Sequence, residues 1–462
     1  MSKPTSDFDQ LFSEIAAQAV AHEARTRRRD ANTERRFRYA VRMILLEAWR
    51  ALQSIPPRDC SIHLSKQHYK SGSRYGDTML AYRQVKAAYD VLKELGYVHQ
   101  TRKGYWDPHM LQGRLTSYQA TPKLCSAFAH FNGFAAFAKN DAPEAEVILL
   151  RIKDEGRKSL NEYHNTAVTQ KHRENLSKIN RCLQRHWLDL ELENTAYAAL
   201  AERITNHPDK NPIDFSQRTL VRIFNSITFD SGGRFYRGWW QNLPSEYRKY
   251  LTIDTKRTAE FDFSQMNPNM LYCLAGADMG ATDAYDRVLD GQHRKLVKQA
   301  FNSMVQAKGS LQQCPKTIDL SGTGLTWATL RKAILRSHKP INDYFFKGYG
   351  NKLQYEDSCI AEQVMLHFTK SDIPIYPVHD SFIMHHGYGP ELEEAMNKAF
   401  YERFGRDIHI KHDEVDWTYG KKPQTSGTLD IEAIMNADSH MSLWATRNEA
   451  WLTYSKLRQS DV

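Results

Sequence analysis

Two apolar runs separated by only two polar residues constrain this chain most. In IPIYPVHDSFIMHH, residues 373–386, Ile373, Ile375 and Val378 flank one strand and Phe382, Ile383 and Met384 begin another. His379 and Asp380 take the turn between them. A two-residue link between such runs predicts a tight β-hairpin, here with a carboxylate at its tip. Residues 257–276, RTAEFDFSQMNPNMLYCLAG, carry a second pattern. Ala259, Phe261 and Phe263 alternate with Glu260 and Asp262, and from Ser264 onward Met266, Met270, Leu271 and Leu274 recur at helical spacing. A strand therefore ends at a carboxylate just before a helix. A rigid strand fixes the Asp262 oxygens, and the adjacent Phe263 carbonyl can add a further ligand, which suits a hard divalent cation. If the hairpin brings Asp380 beside Asp262, the pair can hold two Mg²⁺ or Mn²⁺ ions, as in-line attack on a nucleoside triphosphate requires. Plainer readings stay open: Asp is common at helix N-caps and in turns, and His379 fits a satisfied core histidine.

A third segment, HRKLVKQAFNSMVQAKG at 293–309, places Arg294, Lys298 and Asn302 four residues apart, hence on one helix face, with Gln306 continuing the row. Cations in a row suit triphosphate oxygens, although a solvated amphipathic helix has the same pattern. Phe301 and Met304 are expected in the core.

Together these segments resemble the motifs of family A DNA polymerases and single-subunit phage RNA polymerases. DFSQMNPNM resembles motif A, the Arg294–Lys298 helix motif B, and VHDSF motif C. KLQYEDSCIAEQVM, residues 352–365, resembles the helix before motif C, with Gln354 as the matching glutamine. GGRFYRGWWQNLP, residues 232–244, resembles the Gly-Arg-aromatic segment upstream of motif A in the phage enzymes, although Arg234 could instead pack on Trp239 or Trp240. The order is the family order, over residues 232–386, and the first 230 residues lie outside it. The resemblance implies a compact palm, an antiparallel sheet with helices, at residues 231–425. It implies two divalent ions on Asp262, Phe263 and Asp380, with Arg294, Lys298 and His379 completing the catalytic group. It implies a nucleotide subsite of Ser264, Gln265, Asn267, Arg294, Lys298, Asn302 and Gln306, and template or primer contacts from Arg234, Tyr236, Gln354 and Ser381. The expected activity is addition of nucleoside monophosphates from NTP or dNTP to a 3′-hydroxyl.

Several positions depart from the family. Gln306 and Ala307 replace the usual Tyr-Gly of motif B, and Asn267 stands where the DNA polymerases carry a glutamate that excludes the 2′-hydroxyl. Motif C ends in Ser381, as in the phage RNA polymerases, and the short span from Asp262 to Asp380 implies reduced fingers. No segment resembles a proofreading exonuclease. These changes lean toward ribonucleotides or mixed use. A template-independent nucleotidyltransferase, or a DNA-binding regulator on an inactive polymerase fold, remains an alternative.

The rest of the chain is read from charge and periodicity. At 462 residues it is too long for one ordinary core. Residues 1–120 hold 20 Lys and Arg against 12 Asp and Glu, a surplus of eight in a chain whose formal charge is +9. A basic third of this kind is an electrostatic footprint for nucleic acid, or else a solvated helical face. Residues 1–55 are expected as a basic helical segment ended by Pro56 and Pro57. Residues 56–130 follow the order of a winged helix-turn-helix: a helix at 81–98 stopped by Gly96, a strand, a basic turn at Arg102–Gly104 and a second strand at 114–121. Arg83 and Lys86 on the helix and Arg102 and Lys103 in the turn are its candidate DNA contacts, although a protein-binding α+β module would have the same order. Residues 131–230 are expected as a helical connector or thumb-like region and 426–462 as a helical appendage. The fold class is thus α+β. Six cysteines with no CxxC pair argue against zinc and against a disulfide framework, and fit a reducing cytoplasm in a bacterial or phage setting. No run of 18 apolar residues exists, so no membrane partner is expected, and the first residues lack the apolar core of a signal peptide.

Overall fold

The computed structural model describes residues 4–412 and 442–459, apart from residues 24, 70–72, 108, 111, 132, 134–136, 138–144, 155–156 and 208–209. The fold is mixed α+β with mainly antiparallel sheets around two hydrophobic cores.

The first core is built by α1 (Pro4–His22), α2 (Ala31–Leu52), β1 (Cys60–Ile62), α3 (Tyr82–Glu94), β2 (Val98–Arg102), β3 (Tyr105–Asp107), β4 (Gln112–Arg114), β5 (Thr116–Ala120) and α4 (Pro122–Phe128). Phe8, Phe12, Ile15 and Ala19 recur at helical spacing on α1 and are buried in one cluster with Phe37, Val41, Leu45 and Trp49 of α2. Asp30 caps α2, its carboxylate accepting from the Thr33 amide at 2.9 Å. The α3 helix buries Val85, Ala88, Tyr89 and Leu92. Gly96 ends it at φ +74°, which lets the Tyr97 amide reach back to the Leu92 carbonyl at 2.9 Å. The strands form an antiparallel sheet in the order β1–β5–β2. The turn expected at Arg102–Gly104 is not where the chain reverses. It continues into a separate two-stranded hairpin, β3–β4. Gly104 makes this possible: its amide donates to Thr116 Oγ1 at 3.1 Å, and a Cβ there would lie 2.7 Å from the Thr116 nitrogen, so only a glycine lets the two legs come this close.

The second core takes in β6 (Ile148–Asp154), β7 (Arg157–Leu160), α5 (Ala167–Arg185), β8 (Leu188–Leu190), α6 (Asn194–Thr205), β9 (Val221–Phe224), β10 (Gly232–Tyr236), β11 (Leu251–Ile253), β12 (Lys256–Phe263), α7 (Met266–Leu274), α8 (Arg294–Gln306), α9 (Trp327–Ser337), α10 (Gly350–Thr369), β13 (Tyr376–Val378), β14 (Ser381–His385), α11 (Gly389–Phe404), β15 (Ile410–His412) and α12 (Ser442–Gln459). One sheet has the order β10–β9–β6–β7, with β6 and β9 parallel. The other runs β13–β14–β12–β11–β8, and β15 pairs with the far part of β12. Residues 131–230, expected as a helical connector, thus contain four strands beside α5 and α6 among the described residues. Their apolar runs are short, and a short run does not tell a buried strand from a helix by period alone. The tail differs too. Residues 426–441 lie outside the described set, but α12 is no appendage: Trp451 is buried, with its ring 5.6 Å from Phe137 and 6.0 Å from Trp187.

The two cores meet along a polar seam. Ile55 and Ile213 exchange backbone hydrogen bonds of 3.0 and 2.8 Å, Arg58 reaches Asp214 at 3.3 Å, and Arg74 reaches Glu146 at 2.9 Å. Among the described residues, no helix is long and apolar enough to cross a membrane.

Candidate active site

β12 is the centre of the site because it is long enough to pair with different partners along its length. On one side Asp262 stands opposite Ser381 of β14; on the other it stands opposite Lys411 of β15. β13 and β14 form the expected hairpin, with His379 at φ +60° and Asp380 in its turn. The Phe263 amide donates to the Asp380 carbonyl at 3.4 Å, so the hairpin tip lies against the end of β12. The two aspartates that the sequence singled out are therefore neighbours.

Their charges are felt. The Asp262 carboxyl is raised to about 7, first by desolvation among the surrounding elements and then by the negative charge of Asp380. Lys298 and Lys411 pull it down and Glu260 pushes it up, without cancelling the shift. Desolvation here is partial, since the Asp262 side chain is open to solvent on one side. Glu260 is spent elsewhere: it accepts from Arg248 at 2.6 Å and from the Ser381 hydroxyl at 2.6 Å. Ser381 is thereby buried as a support for the strand pair.

α8 keeps Val297, Ala300, Phe301 and Met304 in the core and presents Arg294, Lys298, Asn302 and Gln306 on its other side. Lys298 is exposed and its charge reaches Asp262. Arg294 is held by Asp283 at 2.7 Å and Asp286 at 3.5 Å. Asn302 accepts from the Asn267 amide at 3.0 Å, and Gln306 donates to Asn351 at 3.2 Å. Ser264 is buried, and the Gln265 side chain accepts from the Ala284 amide, so both brace the start of α7.

Arg234 does not stack on the tryptophans. Its guanidinium binds the fully buried Asp357 of α10, with Nε at 2.6 Å, because a carboxylate without water needs a charged partner. Burial and Asp380 raise Asp357 to about 6 despite Arg234. Gln354 lies half-buried one turn before Asp357 on the same helix face. Tyr236 meets His379 edge-on at 5.8 Å between centroids. His379 is held below the usual histidine range by desolvation and by the Arg234 charge. Asp357, Lys411 and Glu260 were not singled out from the sequence. Asp357 had a faint signal, an acid at helical spacing with Leu353, Ile360, Ala361 and Val364; Lys411 had none, being 149 positions from its partner Asp262.

The candidate DNA contacts lie apart, on the first core. Arg83, Lys86, Arg102 and Lys103 are all exposed, and Lys86 pairs with Asp90 at 2.5 Å. A cavity of about 240 Å³ lies at the other end of β14 from Asp380, lined by His186, Asp254, Asp372 and His385. Cys182, His186 and Asp372 approach within 4.8 Å of one another beside it. Two of the three are committed elsewhere: His186 binds Asp254 at 2.6 Å, and Asp372 is paired with Arg185.

No protein-family model and no curated protein matches this chain. Among solved structures it is similar to the polymerase domain of Pol1 from M. smegmatis in complex with DNA primer-template and dNTP, at 12% identity and a TM-score of 0.29. The match covers 39% of this chain and 45% of that one, so the chain spans less than half the length of that domain. At this level of likeness the site has to be read from its own geometry.

Proposed function

We propose that the chain is a metal-dependent nucleotidyltransferase of the family A polymerase type, with Asp262 and Asp380 as its metal-binding carboxylates. One observation carries this reading: two aspartates from separate segments stand side by side at a strand end, and the Asp262 carboxyl stays raised beside Asp380 although Lys298 and Lys411 act against the shift. Oxygen donors of this kind suit Mg²⁺ or Mn²⁺, with the Phe263 carbonyl as a further ligand. When bound, two such ions supply the charge that lowers the pKa of an attacking 3′-hydroxyl and offsets the leaving pyrophosphate. The protein's part is to place the reactants. Lys298 faces the pair from α8 and orients the triphosphate by charge. Arg294 joins it by exchanging its bonds to Asp283 and Asp286 for phosphate oxygens, while Asn302, Gln306, Ser264 and Gln265 shape the walls. Arg234, locked by Asp357, holds Tyr236 and His379 at the primer side, with Gln354 and Ser381 behind them. Residues 275–349 act as short fingers.

The sugar preference follows from Asn267. Its neutral amide does not repel a ribose, so ribonucleotides are used with leaky acceptance of deoxynucleotides, and Asn267→Glu shifts preference toward deoxynucleotides. The module at 56–130 is read as a winged helix that docks duplex DNA through Arg83, Lys86, Arg102 and Lys103.

Primer extension with labelled primer, with and without template, and with paired ribo- and deoxynucleotides, tests the reading. Template-directed extension that requires Mg²⁺ or Mn²⁺ is expected. Extension without template assigns a terminal transferase instead. No incorporation under any condition, with DNA binding retained, assigns a regulator.

A further inference from the structure

The β3–β4 hairpin projects from the first core and exposes an unusual set of side chains. Tyr105 is 56% exposed, Trp106 63% and Met110 65%. Large apolar groups are seldom left this open on adjacent positions without a use. Trp106 stands opposite Gly113, and a Cβ built on Gly113 would lie 2.7 Å from Trp106 Cε3. The indole therefore reaches over Gly113, where only a glycine leaves it room, and most of the ring stays open to solvent. On the other face of the hairpin Tyr105 stands opposite Arg114, whose guanidinium lies 5.1 Å from the ring centroid. Arg102 and Lys103, which lead into the hairpin, and Arg114 are exposed. The hairpin's own acid, Asp107, is used within it, accepting from the His109 and Met110 amides at 2.9 and 3.1 Å, and Asp59 at its base accepts from Thr101 and Gln119.

We propose that this hairpin is a stacking platform for unpaired bases, so that the chain engages duplexes at their junction with a single strand. Exposed aromatic rings on a segment that also exposes cations match the chemistry of single-stranded nucleic acid: bases stack on the rings while phosphates meet the guanidinium and ammonium groups. Tyr105 and Trp106, adjacent on one strand, point to opposite faces of the hairpin and so do not form the one-sided apolar surface that a membrane takes, and an apolar protein partner does not need the cations. The proposal rests on the reading of this module as nucleic-acid-binding. It adds a preference that exposed cations alone cannot produce, since charge pairing with phosphates favours the denser charge of the duplex over a single strand.

The test compares the full chain's affinity for a blunt duplex and for the same duplex with a short single-stranded extension. 2-Aminopurine sits at the first unpaired position. The extended duplex is expected to bind about tenfold tighter, as base–aromatic stacking gives, and the 2-aminopurine signal to quench on binding. Trp106→Ala removes the preference and the quenching while blunt-duplex affinity stays, and Trp106→Phe keeps most of both. Trp106 is exposed, so thermal melting is expected to be unchanged by either substitution. Full preference in Trp106→Ala overturns the proposal and leaves duplex binding standing. Equal loss on both duplexes also overturns it, because the ring then serves the duplex contact. If the unmodified chain binds neither duplex, the nucleic-acid reading of the module fails as well. Concentration-dependent self-association that Trp106→Ala removes, with no preference for the extension, gives the surface to a second copy of the chain.

Discussion

The charges around Arg222 and those around Asp262 lie within one core, on its two sheets, and they are handled in opposite ways. Arg222 of β9 is fully buried, yet it donates to the Gly233 carbonyl at 2.8 Å and the Ser358 hydroxyl at 3.1 Å, and pairs with Glu362 at 2.9 Å. Burial opposes ionisation of Glu362, but the His172 hydrogen bond and the Arg222 charge outweigh it and bring that carboxyl down to about 2. Gly233 belongs to this arrangement: at φ +77°, a Cβ there would lie 2.9 Å from both Ser358 Oγ and the Phe224 ring. At Asp262 the balance is reversed. Desolvation and Asp380 raise the carboxyl to about 7, and two lysines do not bring it back. A carboxylate satisfied by its own protein has nothing left for a ligand. One held beside a like charge is destabilised until a cation arrives, and such perturbed groups mark functional sites.

If this contrast is right, the two regions fail differently when altered. The largest effect is expected at the unsatisfied pair. Asp262→Asn or Asp380→Asn reduces nucleotide incorporation to background, while the melting temperature without metal is unchanged or higher, because a repulsion is relieved. Turnover retained in either variant, measured by primer extension, breaks the assignment. Arg222→Ala does the reverse. Leaving Glu362 buried without its partner costs about 3–5 kcal/mol of stability, read from denaturant midpoints. A change below about 1 kcal/mol would show that the network is not structural.

Lys298→Ala is the intermediate case, since it removes one charge from the ligand side. A drop of about 10²-fold in incorporation is expected, as for loss of one electrostatic donor to developing charge, with DNA affinity nearly unchanged. Normal rates with lost DNA affinity would make Lys298 a backbone contact instead.

The smallest effect is in the pH dependence of stability, and its sign separates the two regions. The folded Asp262 carboxyl lies above its ordinary value of 3.8. Its contribution is therefore full below about pH 4 and is lost as pH rises through about 7. The folded Glu362 carboxyl lies below its ordinary 4.5, so its contribution is present above that value and is lost as pH falls toward about 2. Melting curves in EDTA are expected to show Asp262→Asn flattening the slope on the neutral side and Glu362→Gln flattening it on the acid side. Added Mg²⁺ removes the neutral slope of the unmodified protein. Identical slopes in all three proteins would show that these carboxyls do not differ as described.

Much of the local structure was legible in the sequence. The switch from period two to helical spacing at Ser264 located the end of β12, the interruption at His379–Asp380 located a hairpin tip, and the spacing of Arg294, Lys298 and Asn302 defined a helix face. Each signal is carried by neighbours within one turn or one strand, where backbone geometry alone decides which side chains share a face. Tertiary structure decided what those faces meet. The pairing of Asp262 with Lys411, the capture of Arg234 by Asp357 and the burial of Arg222 against Glu362 join residues more than a hundred positions apart. The hairpin that carries Trp106 past the expected turn depends on the close approach of Gly104 to Thr116. No periodicity encodes such meetings, because they are chosen by packing and by the need of each buried charge to find a partner, and both exist only once the sheets have closed around them.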